Sequence, residues 1–208
     1  MARARKPKSP PIHPWRLLLA SASPRRRELL KGLDLPVEFT SADVDETPPQ
    51  GLPEMQVAEH LARKKAEAWN GRLEKDQVLI TADTTVVTGM APQLTLLNKP
   101  VDAKDAERML GLLSGRTHKV VTGVCMLTTR SMISFSDITD VTFASLTGEE
   151  IAYYVAKYAP LDKAGAYGVQ DWIGYVGVDH INGSFYNVMG LPLYRVYAEL
   201  RALEPITT

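Results

Sequence analysis

The chain of 208 residues holds 24 lysines plus arginines and 24 aspartates plus glutamates, so its formal net charge is zero. Hydrophobic residues at 45% and charged residues at 23% fit one globular domain, or at most two small ones. The charge balance excludes a bulk nucleic-acid binder and an acidic disordered protein; one cysteine excludes a disulfide framework and a multi-cysteine zinc site; and no apolar run approaches the roughly 20 residues of a membrane helix.

Residues 1–14 contain Arg3, Arg5, Lys6 and Lys8, four prolines and no acid. A disordered basic tail is expected there, either an arm for an anionic partner or a solvated extension. Without it the body has 20 basic against 24 acidic residues, a formal charge of −4. Residues 15–208 are expected to form a single domain. The first apolar stretch, Leu17–Ala20, is too short for a signal peptide, so a cytoplasmic protein with no membrane partner is expected.

Leu17–Ala20 reads as a buried strand, because it is apolar without alternation. Ser21-Ala22-Ser23 is a polar turn, and Ser23-Pro24 supplies an N-cap and an N1 proline for a helix over Arg25–Leu33. Glu54–Trp69 reads as a second helix. Gln77–Thr81 is a strand, Thr85–Thr88 continues in β-branched residues, and Gly89–Gln93 is a turn. Asp102 caps a third helix that runs to Leu113 and stops at Ser114-Gly115. His118–Leu127 and Met132–Phe143 are strand-like. Thr147-Gly148-Glu149-Glu150 is a capping box, and Ile151, Tyr154, Val155 and Tyr158 follow at helical spacing. Ile173–Val178 is expected as a strand. A last helix starts near Pro192 with Leu193, Val196, Tyr197, Leu200 and Leu203 on one face. Short apolar runs alternating with amphipathic helices indicate an α/β or mixed α+β fold.

Three features can carry chemistry. The first is Ala20–Leu30, a strand running through a tight turn into a helix N-terminus. Free backbone N–H groups and the helix dipole favour an anion there. Arg25 and Arg26 occupy the first turn, where the dipole disfavours cations. Either a bound anion sits between them, or the helix simply begins with an exposed basic face. No Walker A or GxGxxG sequence is present.

The second feature is the supply of carboxylates. Asp45 and Glu46 lie in the loop Val44–Thr47, where Asp45 reads as an ordinary loop acid. Asp83 directly follows the apolar strand Val78–Thr81. A carboxylate in such a run is costly unless it is paired or binds a metal, and oxygen ligands near phosphate suit Mg²⁺ or Mn²⁺. The third feature is misplaced lysine. Lys65 falls on the stripe Val57, Leu61, Trp69; its stem snorkels, or its ammonium enters a cleft. Lys99 is a strand-exit cation after Leu94–Leu97. The histidines form no close metal-ligand spacing and no Ser-His-Asp triad. Cys125 reads as a small buried residue.

The motifs LLLASASPRRRELL, VDET, LARKKA, ITADTTVV, NKP, LSGRTHKVVTGV, DVTF, DKAGAYGVQ and INGSFYNVMGLPL span about Leu17–Leu193 in order. With them the chain resembles the Maf family of nucleoside triphosphate pyrophosphatases. The resemblance implies an elongated central mixed sheet flanked by helices, in two lobes with a cleft, similar to the inosine triphosphate pyrophosphatase architecture. It implies hydrolysis between the α- and β-phosphates to a monophosphate and pyrophosphate, with a divalent cation. It places Ser21, Arg25, Arg26, Lys65 and Lys99 on the substrate, Glu46 and Asp83 at the metal, and Asp83 as general base. Arg26, Thr84 and Gln170 match the branch acting on dTTP and UTP, where Thr84 and Gln170 would read the pyrimidine edge. It also suggests a homodimer. Two other functions stand beside the enzyme: a regulatory nucleotide-binding protein of septum formation, and a nucleic-acid binder using the tail and Arg25–Arg27.

Overall fold

Strand β1 (Arg16–Ala20) feeds helix α1 (Pro24–Lys31), and the chain returns as β2 (Val37–Thr40), parallel to β1. A 3₁₀ turn at Glu54–Gln56 leads into α2 (Val57–Glu67) and then the 14-residue strand β3 (Gln77–Met90). Next come β4 (Gln93–Leu97), α3 (Ala103–Leu113), β5 (Thr117–Leu127), β6 (Met132–Phe143) and α4 (Gly148–Tyr158). The last elements are α5 (Trp172–Gly177), β7 (Val178–Asn182), α6 (Phe185–Met189) and α7 (Leu193–Ala202). This computed structural model describes residues 15–69 and 72–203; the basic stretch 1–14, expected as a disordered tail, lies outside the described residues.

The strands form one mixed sheet in the order β2-β1-β3-β5-β6-β7, with β4 paired to β3. β2, β1 and β3 are parallel, and the remaining pairings are antiparallel. β1 and the start of β3 are apolar at nearly every position because helices cover both faces there. The elongated mixed sheet expected from the resemblance is present.

Local chemistry sets most helix ends. Ser23 caps α1, its hydroxyl accepting from the Arg26 N–H at 3.4 Å, with Pro24 in the first turn. Asp102 caps α3 by accepting from the Asp105 N–H at 2.8 Å. Thr147 and Glu150 form the reciprocal box at the start of α4. Three expectations need correction. The helix read over Glu54–Trp69 begins as a separate 3₁₀ turn before α2. The stretch from Gln77 is not two pieces: β3 runs unbroken from Gln77 to Met90, so Asp83 is mid-strand and not at a strand end. Ile173–Val178 is not a strand: Trp172–Gly177 is helical and the strand starts at Val178. There Ile173 and Gly177 are buried four residues apart while Tyr175 and Val176 face out, a helical spacing that a short apolar run hides.

Side-chain alternation divides β3 and β5 into two faces. Leu79, Thr81, Asp83 and Val87 face α2, as do Val121, Gly123 and Cys125. At Gly123 the helix lies so close that a Cβ would fall 2.2 Å from the Glu59 nitrogen. Glu59 in turn accepts from Ser134 and Ser136 on β6 at 2.7 and 2.9 Å. The opposite face carries two apolar clusters. One joins Ala82 and Val124 to Leu29 and Leu30 of α1 and to Val196 and Leu200 of α7. The other joins Val86 and Val120 to α3, α4 and α5. Thr84 and Thr122, register partners, lie between the two clusters.

Candidate active site

The edge of β3 opposite β5 is paired at both ends and open between them. β1 pairs with it as far as Leu19↔Ile80, and β4 begins only at Leu97↔Val86. Positions 81–85 therefore have β5 on one side and no strand on the other. Asp83 and Thr84 point to opposite faces of the sheet, yet both reach the same space through this gap. β1 ends at the gap and continues into the Ser21–Ser23 turn and α1, while β4 ends beside it and continues into Lys99. The result is a cleft of about 300 Å³.

All nine residues singled out in the sequence line this cleft: Ser21, Arg25, Arg26, Glu46, Lys65, Asp83, Thr84, Lys99 and Gln170. Lys65 is buried, its side chain only 8% exposed, and its ammonium enters the cleft instead of snorkelling to solvent. It bonds Asp83 Oδ1 at 2.7 Å and Glu46 Oε1 at 2.9 Å. Burial acts to raise the Glu46 pKa, but the bond to Lys65 and the nearby charges of Lys65, Lys99 and Arg26 outweigh it and hold the carboxyl below its ordinary value.

Arg26 turns inward from the first turn of α1. Its Nε donates to the Gly190 carbonyl at 2.8 Å and its Nη2 to Thr84 Oγ1 at 2.8 Å. Burial pulls its pKa below the usual arginine value, opposed by Asp83. Arg25 points to the cleft rim, where Nη1 meets Asp162 Oδ2 at 2.9 Å. Burial acts to raise the Asp162 pKa, and Lys163 together with Arg25 overrides it and lowers it. Five cations, Arg25, Arg26, Lys65, Lys99 and Lys163, and the α1 N-terminus thus face one small volume, an environment for a multiply charged anion.

Glu46 and Asp83 supply hard carboxylate oxygens, and each uses one oxygen on Lys65. Among the described residues no group of three or more His, Cys, Asp or Glu could hold a metal ion. Two carboxylates suit Mg²⁺ or Mn²⁺ when a substrate's phosphates complete the shell. The donor set therefore fits a divalent cation whose shell a polyphosphate completes.

Sequence reading passed over several contributors. Asp162 and Lys163 line the cleft from the DKAGAYGVQ motif, in which only Gln170 was singled out. Their charge was visible, but the approach of Asp162 to Arg25, 137 residues away in sequence, was not; the same loop is anchored by Gly165. That glycine, at φ +67°, accepts the close approach of Val86 and bonds the Asn98 carbonyl at 3.1 Å. Gly190, at φ +110°, presents its carbonyl to Arg26. Thr122 and Asn187, both fully buried, stand behind Thr84. No local pattern marks these last two.

The family model described as Maf-like protein matches residues 16–203. A protein of Parabacteroides distasonis named dTTP/UTP pyrophosphatase is 48% identical over 188 residues, covering 90% of this chain and 95% of its own. One from Bacteroides thetaiotaomicron with the same name is 49% identical over 191 residues, covering 91% and 96%. Among solved structures, the Staphylococcus aureus Ham1 protein aligns at TM-score 0.48 and 20% identity, over 88% of this chain and 97% of that one.

Proposed function

Since the chain belongs to the Maf-like family, we propose that it hydrolyses dTTP and UTP to the monophosphate and pyrophosphate. The observation that carries this reading is the convergence of Arg25, Arg26, Lys65 and Lys99 on one cleft, with the carboxylates of Glu46 and Asp83 among them. Relatives at 48% and 49% identity carry the same activity in their names.

In this reading Arg25, Lys65, Lys99 and the α1 N-terminus after Ser23 hold the triphosphate. Asp83, aligned by Lys65, takes a proton from the water that attacks the α-phosphorus. The new P–O bond forms as the bond to the α–β bridging oxygen breaks, and pyrophosphate leaves. Glu46 and Asp83 would hold a divalent cation, which supplies neutralisation of charge on the leaving group. Fixed positive charge and positioning supply most of the acceleration. Thr84, Arg26 and Gln170 read the base.

The reading takes residues 15–208 as one domain and the protein as a cytoplasmic homodimer acting on free nucleotide, not on nucleic acid or at a membrane. The body charge of −4 supports the absence of a nucleic-acid partner, and no described helix is long and apolar enough to cross a membrane.

The test is turnover of dTTP, UTP, CTP and purine triphosphates with Mg²⁺ or Mn²⁺, with products identified. Pyrophosphate and a pyrimidine monophosphate are expected, with loss of turnover in a chelator. Orthophosphate release, or nucleotide binding without turnover, overturns the reading. Asp83→Asn should lower kcat by about three decades, an effect of about 4 kcal/mol, with KM little changed; near-normal kcat removes Asp83 from the base role.

A further inference from the structure

Behind the cleft wall, one chain of hydrogen bonds has a fixed direction. It begins at Arg26 Nη2, which reaches Thr84 Oγ1 at 2.8 Å. A guanidinium only donates, so Thr84 accepts this bond. It ends at the Asn187 backbone carbonyl, which Thr122 Oγ1 reaches at 3.0 Å. A carbonyl only accepts, so the single hydroxyl proton of Thr122 is committed there. The hydroxyls of Thr84 and Thr122 are 3.0 Å apart. With the Thr122 proton already committed, the proton between the two hydroxyls belongs to Thr84. Thr84 thus accepts from Arg26, donates inward to Thr122, and has one lone pair left for the cleft.

Both ends of the chain are pinned. The Asn187 side chain is fully buried, and its Nδ2 donates to the Val120 carbonyl at 3.1 Å and to Thr139 Oγ1 at 2.9 Å. Its backbone N–H donates to Ser184 Oγ at 3.2 Å. Arg26 is pinned through Nε by the Gly190 carbonyl. Thr84 and Thr122 are held opposite each other by the β3–β5 register. The Asn187 carbonyl also accepts from the Gly190 N–H at 2.9 Å, but reversing the hydroxyls would leave it and Thr122 Oγ1 3.0 Å apart with no proton between them, a cost that favours the order described.

We infer that Thr122, which does not line the cleft, is a specificity-positioning residue that fixes the Thr84 hydroxyl as a pure acceptor. Beside the donor-only fork of Arg26, the cleft wall then presents a donor next to an acceptor. That pair complements a carbonyl adjacent to a ring N–H, the imide edge of uracil and thymine. Cytosine offers an amino group and a bare ring nitrogen at the same positions, so it meets a donor with a donor and an acceptor with an acceptor. The inference rests on the proposed function, in which the base lies against Thr84.

The experiment compares kcat/KM for UTP and CTP, by pyrophosphate release, in the wild type, Thr122→Val and Thr122→Ser. The valine removes the inward acceptor, so the Thr84 proton is free to turn toward the cleft. The UTP:CTP ratio should exceed about threefold in the wild type, fall about three- to tenfold in Thr122→Val, and be largely kept in Thr122→Ser. A merely structural role for Thr122 would lower both substrates together and leave the ratio in place. An unchanged ratio in Thr122→Val, or a serine variant that behaves as the valine one, overturns the inference. So does a wild type that treats UTP and CTP alike, which settles the matter even if the valine variant does not fold. A wild type that releases no pyrophosphate from UTP overturns the proposed function instead, a separate and earlier outcome.

Discussion

Replacing Lys65 with methionine separates the chemistry of the cleft from the stability of the fold. Lys65 interrupts the buried stripe of α2 formed by Val57 and Leu61, so methionine suits the helix and its packing. Its ammonium, however, is shared by Asp83 and Glu46 at 2.7 and 2.9 Å. Without it, two carboxylates confront each other across the space it filled. Two like charges about 5 Å apart repel by about 3 kcal/mol at an effective dielectric of about 20. Glu46 is 47% exposed, and solvent screening reduces the figure to about 1–2 kcal/mol. That cost alone corresponds to about tenfold in rate, and loss of a phosphate contact adds to it.

Glu46 is held below its ordinary pKa by Lys65 against the opposing effect of burial. In Lys65→Met it moves upward, so the acid limb of the kcat/KM profile moves to higher pH. The assay is pyrophosphate release from dTTP across pH, with thermal unfolding as the control for folding. At least about a tenfold loss in kcat/KM is expected near neutral pH, with a melting temperature near the wild-type value. A variant within twofold of wild-type activity and with the same acid limb would refute the role given to Lys65.

Three further outcomes are expected. Gly123→Ala would place a Cβ 2.2 Å from the Glu59 backbone of α2; denaturant unfolding should show a loss of about 2 kcal/mol or more, and activity should fall with it, since α2 carries Lys65. Burial lowers the pKa of His118 from an ordinary 6.5 to about 4, with Asp140 opposing. The unfolded chain therefore binds the proton first, and stability should fall by about 3 kcal/mol as pH drops through this window; the slope should flatten in His118→Gln, and an equal slope there would assign it to other groups. Asp162→Asn removes the carboxylate that pairs with Arg25 at 2.9 Å with its side chain 59% exposed; so exposed a pair is worth under about 1 kcal/mol, so KM should fall by no more than about fivefold, and a raised KM would show that Asp162 helps to hold the substrate.

Local signals reported themselves well along this chain. Ser23-Pro24, Asp102 and the Thr147–Glu150 box start α1, α3 and α4 as expected, because a cap needs only neighbours in sequence. Lys65 stood out because a cation on an apolar stripe is a local contradiction. Ile173–Val178 misled because a six-residue apolar run fits a strand or a buried helix equally until its neighbours are known. Short β2, half exposed, and five-residue α6 passed unnoticed for lack of any sustained period.

Which residue types the site needs was therefore determined by the sequence: arginines at a helix start, carboxylates in VDET and ADTT, and lysines where aliphatic side chains belong. The tertiary structure decided where they meet. Asp83 and Thr84 are adjacent in sequence and point to opposite faces, and they share a cleft only because β1 pairs with β3 no further than Ile80 and β4 pairs with it only from Val86. A gap in a sheet edge is a property of three strands together, and no one of them encodes it alone. The same holds for Thr122, whose hydroxyl acquires a direction from a carbonyl 65 residues away. Local chemistry selects groups, whereas their mutual distances, and so their charge states and proton directions, follow from non-local pairing.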